Sequence, residues 1–170
     1  MHGKLLDKDG AELETAKKIS SKFNLFLLSL AGVCLIGMML FIVANAFFRE
    51  FLSPFKGTSE VVAWLTALTA VLSIGYAQEH LAHISLNLIN GVLSDSMKKL
   101  NIVFVCILNI IFFTIICYHF ITYGFHLIEK EAVSETLAFP YYPFIFLASL
   151  SFLSLIVTFI IQLSESVKRV

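Results

Sequence analysis

Four long stretches of this 170-residue chain carry no formal charge, and no other feature limits its fold so tightly. Residues 23–48, 61–78, 100–128 and 142–163 form runs of 26, 18, 29 and 22 such residues. A helix rises about 1.5 Å per residue, so roughly 20 residues cross the ~30 Å hydrocarbon core of a bilayer, and the shortest run just reaches that length. Lipid tails offer the backbone no hydrogen bonds, so each run has to satisfy its own as a helix. Composition agrees: 58% of residues are hydrophobic and only 14% are charged, the balance of a polytopic membrane protein rather than a soluble domain. The expected fold is an all-α integral membrane protein with four transmembrane helices. Its membrane domain covers 23–164, with spans at about 23–48, 59–80, 100–128 and 142–163.

The second span organises the rest. Within it Thr66, Thr69, Ser73, Tyr76, His80 and His83 follow one another in steps of three and four, which places them on one face of a helix. Ala63, Ala67, Ala70, Gly75 and Ala77 add small side chains that let another backbone approach closely. Ser151, Ser154, Thr158 and Gln162 draw a second polar stripe along the fourth span. Both stripes read as surfaces for other protein, since a face turned to lipid has no use for hydroxyls. They are expected to meet a partner subunit.

Between the spans the chain is short and polar. Residues 1–22 mix five lysines with four acids and lack an apolar core before a small-residue cleavage site, so a removable signal peptide is not expected. Residues 11–22 suit a short helix lying on the membrane surface. Pro54 and Gly57 break the chain after the first span. Residues 81–99 read as an interfacial turn with a bent segment, and Ser94-Asp95-Ser96 as the next helix start. Nine lysines and arginines fall in the first tail, the middle loop and the 165–170 tail, against Arg49, Lys56 and Lys130 on the other side. Positive charge is retained on the cytoplasmic face, which puts both termini in the cytoplasm.

Little here suggests chemistry. Net charge is zero, so nucleic acid has no electrostatic footing. Cys34, Cys106 and Cys117 sit in apolar runs, form no CxxC and read as packing residues. His80 and His83 fall near one side of the membrane, His119 and His126 toward the other, and none matches a zinc spacing. His119, Thr122, Tyr123 and His126 nevertheless share a face of the third span. No catalytic residue, cofactor or metal site is expected. Arg49 and Glu60 flank a short turn at one depth, and a charge at that boundary needs a partner or water, so the two are expected to pair, with Glu50 competing.

Three local patterns give the chain a family resemblance. An arginine closes span one and an acid opens span two, here Arg49 and Glu60 in REFLSPFKGTSE. A histidine follows span two in a short hydrophobic segment, His83-Ile-Ser-Leu-Asn87. A Ser-x-Thr-Leu-x-apolar-Pro-x-aromatic run precedes span four: Ser134, Thr136, Leu137, Phe139, Pro140 and Tyr142. Taken in this order between four spans, the patterns resemble the small membrane subunit of tripartite ATP-independent periplasmic (TRAP) transporters, the DctQ-type family. Relatives often carry Arg and Asp two and four residues after the histidine, where this chain has Ser85 and Asn87.

The resemblance implies a noncatalytic small permease subunit of the bacterial inner membrane. It would scaffold a large multi-span subunit that moves substrate by an elevator motion. A periplasmic binding protein would deliver a carboxylate-bearing substrate, and a sodium gradient would drive uptake. In that setting the charged loop around Glu131 and Glu135 either docks the binding protein or simply keeps a short loop solvated. Two other readings stay open. A four-helix exporter would use an acid within the membrane, for which Glu60 and Glu79 are the candidates, and a quinone-linked redox subunit would use depth-matched histidines or paired loop cysteines.

Overall fold

The computed structural model describes residues 3–51, 55–89 and 95–168, nearly all of them helical. They form α1 (Gly3–Phe51), α2 (Thr58–Ile89), α3 (Asp95–Glu129) and α4 (Tyr142–Lys168). Each contains a segment long and apolar enough to cross a membrane: Glu12–Phe51, Thr58–His80, Leu100–Glu129 and Tyr142–Ser166. The helices run up and down, so one end of the bundle carries the start of α1 and the end of α4 and the other the loops around 55–57 and 130–141.

Two elements run further than the expectation from sequence. The segment set apart as a surface helix is continuous with the first span in one 49-residue helix. Residues 11–31 contain neither proline nor glycine and several strong helix formers, so nothing there interrupts the hydrogen-bond ladder. Likewise α2 continues beyond His80 to Ile89, where a bent interfacial segment was expected. Pro54 and Ser94 lie outside the described residues, as do the side chains of His83, Ser85 and Asn87.

The four helices are not equivalent. Within the chain 56% of the α4 span is buried, against 17% for α2 and 11% for α1 and α3, so α4 is the central element. It touches all three others, whereas α1 and α2 pair along their length and α3 leans mainly on α4. One apolar cluster joins Leu27 and Ala31 of α1 to Leu68 and Leu72 of α2, edged by Phe144 and Leu147 of α4. Two more join α3 to α4, through Cys117 with Ala148, Phe152 and Ile156, and through Cys106 with Leu155 and Phe159. All three cysteines are free thiols, and Cys106 and Cys117 are packed inside these clusters. Gly124 of α3 permits this approach: a Cβ there would stand 3.0 Å from the Phe146 ring.

Candidate functional site

The densest polar structure in the bundle is a column on α4. Asn24 of α1 is fully buried. Its amide nitrogen donates to Thr158 Oγ1 at 3.1 Å and to Glu79 Oε2 at 3.2 Å, and its oxygen accepts from Ser154 Oγ at 2.7 Å. One side chain thus ties α1, α2 and α4. The oxygen has room because residue 75 is glycine: a Cβ there would lie 2.5 Å from it. Toward the termini the column continues with Gln78 Nε2 donating to Gln162 Oε1 at 3.4 Å and Gln162 Nε2 to the Gln78 carbonyl. It ends in an ion pair between Lys17 and Glu165.

This column corrects the expected use of the fourth-span stripe. Ser151, Ser154 and Thr158 are buried inside the chain, and Gln162 bonds α2. None of the three buried residues is open to a partner subunit. The stripe was visible in the sequence, but Asn24, its counterpart, sits alone near the end of its run and gives no periodic signal. In α2 the picture is mixed. Thr66 is exposed and donates back to the Val62 carbonyl and to Met38 Sδ. Thr69 donates to Leu65 O, and Ser73 to Ala70 O. Tyr76 stacks on His80, whose Nδ1 lies 3.0 Å from the Tyr76 carbonyl.

A second polar cluster closes the opposite end. Glu60, in the first turn of α2, receives the Thr136 amide at Oε1 (3.1 Å). The hydroxyls of Ser134 and Thr136 and the Leu137 amide also face the carboxylate. Its Oε2 is buried and meets no donor within hydrogen-bond distance, the one such side-chain atom among the described residues. The loop is itself folded. Ser134 Oγ accepts the amides of Leu137 (3.2 Å) and Phe139 (3.5 Å), and Val133 pairs with Pro140 in an isolated antiparallel bridge. Gly57, at φ +80°, lets Leu137 close over the α2 start, since a Cβ would meet Leu137 Cγ at 2.7 Å. Trp64 anchors the cap through rings of Phe139, Tyr141 and Phe144, with centroids 5.1–6.1 Å away.

The expected Arg49–Glu60 pair does not form among the described residues; Arg49 is exposed and the Glu60 carboxylate faces the 134–137 loop. Fixed backbone amides delivered by a folded loop displace a long, solvated arginine. Two motifs that are 74 residues apart in sequence, Glu60 and Ser134, therefore meet in space. On the same loop Glu131 (φ 49°) and Glu135 are exposed. His126 Nδ1 lies 3.4 Å from Glu129, and His119 is exposed beside Tyr118. Among the described residues no three His, Cys, Asp or Glu side chains converge on a common point.

A model of the family described as "Tripartite ATP-independent periplasmic transporters, DctQ component" matches residues 38–169, which takes in the C-terminal part of α1 and all of α2, α3 and α4. No curated protein and no solved structure matches the chain.

Two predictions test these clusters. Asn24→Ala removes three interhelical bonds, each worth ~0.6 kcal/mol on average in a membrane protein, so thermal unfolding in detergent should show a loss of about 2 kcal/mol. Gly75→Ala should also destabilise, by colliding with the Asn24 oxygen. The double variant should be less damaged than the two losses added, and strict additivity would remove Gly75 from the node. At the other end, Glu60→Ala and Ser134→Ala should each lower the unfolding midpoint and be non-additive together. Arg49→Ala should leave the midpoint unchanged and be additive with Glu60→Ala; measurable Arg49–Glu60 coupling would restore the ion pair.

Proposed function

The chain belongs to the DctQ family of tripartite ATP-independent periplasmic transporter components, and from that premise we propose that it is the noncatalytic scaffold of a sodium-driven uptake system. The observation that carries this reading is the family match over residues 38–169, which takes in the end of the first span and all of the other three. The protein is a small TRAP transporter subunit and a multi-pass membrane protein. Its partners in the proposal are a large multi-span subunit, which holds the substrate and sodium sites, and a periplasmic protein that delivers a carboxylate-bearing substrate.

Several features support a passive role. The acids of α2, Glu60 and Glu79, lie at the two ends of its span and hold neighbouring helices or loops, so neither is placed to carry an ion at mid-depth. α2 differs from its neighbours in its outward face. Ala63, Thr66, Ala67 and Ala70 are exposed there, whereas α1 and α3 expose rows of Phe, Leu and Ile. Small residues permit close helix approach, which supports contact between the Ala63–Thr66–Ala67–Ala70 side of α2 and the large subunit, whereas Thr69 turns toward the Ala31 carbonyl of α1. The lysine and arginine distribution supports an inner-membrane orientation with both termini cytoplasmic and the 130–141 loop periplasmic.

Coexpression with the large subunit should yield a one-to-one complex in detergent. Proteoliposomes should take up substrate only with both subunits and the binding protein present; uptake by this chain alone would overturn the scaffold role. Exposed charges at a rim mainly set encounter rate and salt dependence. Reversing Glu131 and Glu135 to lysine should therefore slow uptake most at low ionic strength and low binding-protein concentration, while the complex still assembles. Wild-type rates under those conditions would exclude this loop as a docking contact.

A further inference from the structure

The polar face of α3 remains unused by the fold. The side of α3 that packs on α4 is drawn by Cys106, Ile110, Phe113, Cys117, Phe120 and Gly124. His119, Thr122 and His126 point away from it, with Tyr118 and Tyr123 at its flanks, and all five are exposed. Thr122 is satisfied by the Tyr118 carbonyl at 2.9 Å, and His126 approaches Glu129 near the helix end. His119 differs from both. Its ring meets Tyr118 edge-on, and among the described residues no donor or acceptor meets its nitrogens.

Depth makes that position informative. His119 lies four to five residues, about 7 Å, from the middle of the Leu100–Glu129 span, well within a ~30 Å hydrocarbon core. Lipid tails offer an imidazole no partner at that level, and headgroups are out of reach of so short a side chain. The outward face of α4 has the opposite character, with Leu150, Leu153, Val157 and Ile160 exposed and no polar group among them. Lipid suits that face of α4. It does not suit the loop-side half of α3.

We propose that the His119–Thr122–Tyr123–His126 face of α3 is a docking surface for a transmembrane helix of the large subunit, with the His119 ring hydrogen-bonded to that helix. The proposal rests on the scaffold reading and deepens it by adding a second contact, separate from α2. The occupant is a different membrane chain because the family is one component of a multi-part transporter, and because a helix at this depth supplies what lipid cannot: a backbone carbonyl or polar side chain facing the ring.

A photocrosslinking amino acid placed at Thr122, at Ala67 on α2 and at Val157 on α4 tests it in the coexpressed complex. Crosslinks to the large subunit from Thr122 and none from Val157 are expected. His119→Leu should weaken the complex about threefold, the worth of one interhelical hydrogen bond, without lowering the thermal stability of this chain alone. Crosslinks from Thr122 only to lipid or to a second copy of this chain would overturn the proposal. If Ala67 still captured the large subunit, the scaffold reading would survive that result. Failure of the two chains to copurify or crosslink from any position would overturn both.

Discussion

The Asn24 amide is the point on which the packing of three helices depends. Helices inside a bilayer gain nothing from hiding apolar side chains from water, because lipid is as apolar as leucine. What fixes their register is close packing together with the few polar groups that lipid cannot satisfy. Asn24 supplies three such bonds from one position, and the missing side chain at residue 75 gives its oxygen room. Sliding α1 by one residue along α4 would turn the amide away from Ser154 and Thr158 and break both bonds, leaving Thr158 only its bond to the Ser154 carbonyl. The register is thereby set near the terminal end, and the Lys17–Glu165 ion pair lies further along the same side.

That arrangement explains why α4 sits at the centre. It carries three distinct sectors. Ser154, Thr158 and Gln162 face α1 and α2; Ala148, Phe152, Ile156 and Phe159 face α3; Leu150, Leu153, Val157 and Ile160 remain outward. A helix with a single polar side and one apolar side could join one neighbour. Two chemically different inner sectors let α4 hold the α1–α2 hairpin on one flank and α3 on the other. The opposite end is fixed by different means, since there the loop between α3 and α4 folds over the start of α2 and presents its amides to Glu60. Ser134 serves both sides of that cap, accepting the loop's own amides while its hydroxyl faces the carboxylate.

Much of this was legible in the sequence. Charge-free runs locate the spans because desolvating a charge in hydrocarbon is costly wherever the helix sits. The stripe on α4 was equally visible, since hydroxyls at steps of three and four mark a face. What periodicity does not encode is the identity of the group opposite. For α4 that group is a lone asparagine near the end of another run, and the stripe therefore read as an interface with a second protein. The Arg49–Glu60 pairing failed for a related reason. Sequence placed both at one depth, but it did not show that a loop 74 residues further on returns with amides already oriented. The long α1 was missed because a polar segment before a span looks like a separate element, although helix propensity continues across the boundary unbroken.

Sorting the outward faces then separates what the chain keeps for itself from what it offers. With the α4 stripe accounted for internally, polarity left over within the spans becomes a narrower signal than the sequence suggested. The outward residues of α4 and most of those of α1 are large and apolar, as lipid requires, and the exposed Ser29 hydroxyl of α1 bonds its own helix at Leu25 O. Those of α2 are small, and those on the loop-side half of α3 include an imidazole that meets no hydrogen-bond partner among the described residues. A bundle whose buried polar groups are matched internally, Glu60 Oε2 excepted among the described residues, can hold such faces in fixed relation to each other. Holding them so is what the proposed scaffold role asks of a subunit that stays still while another part of a transporter moves.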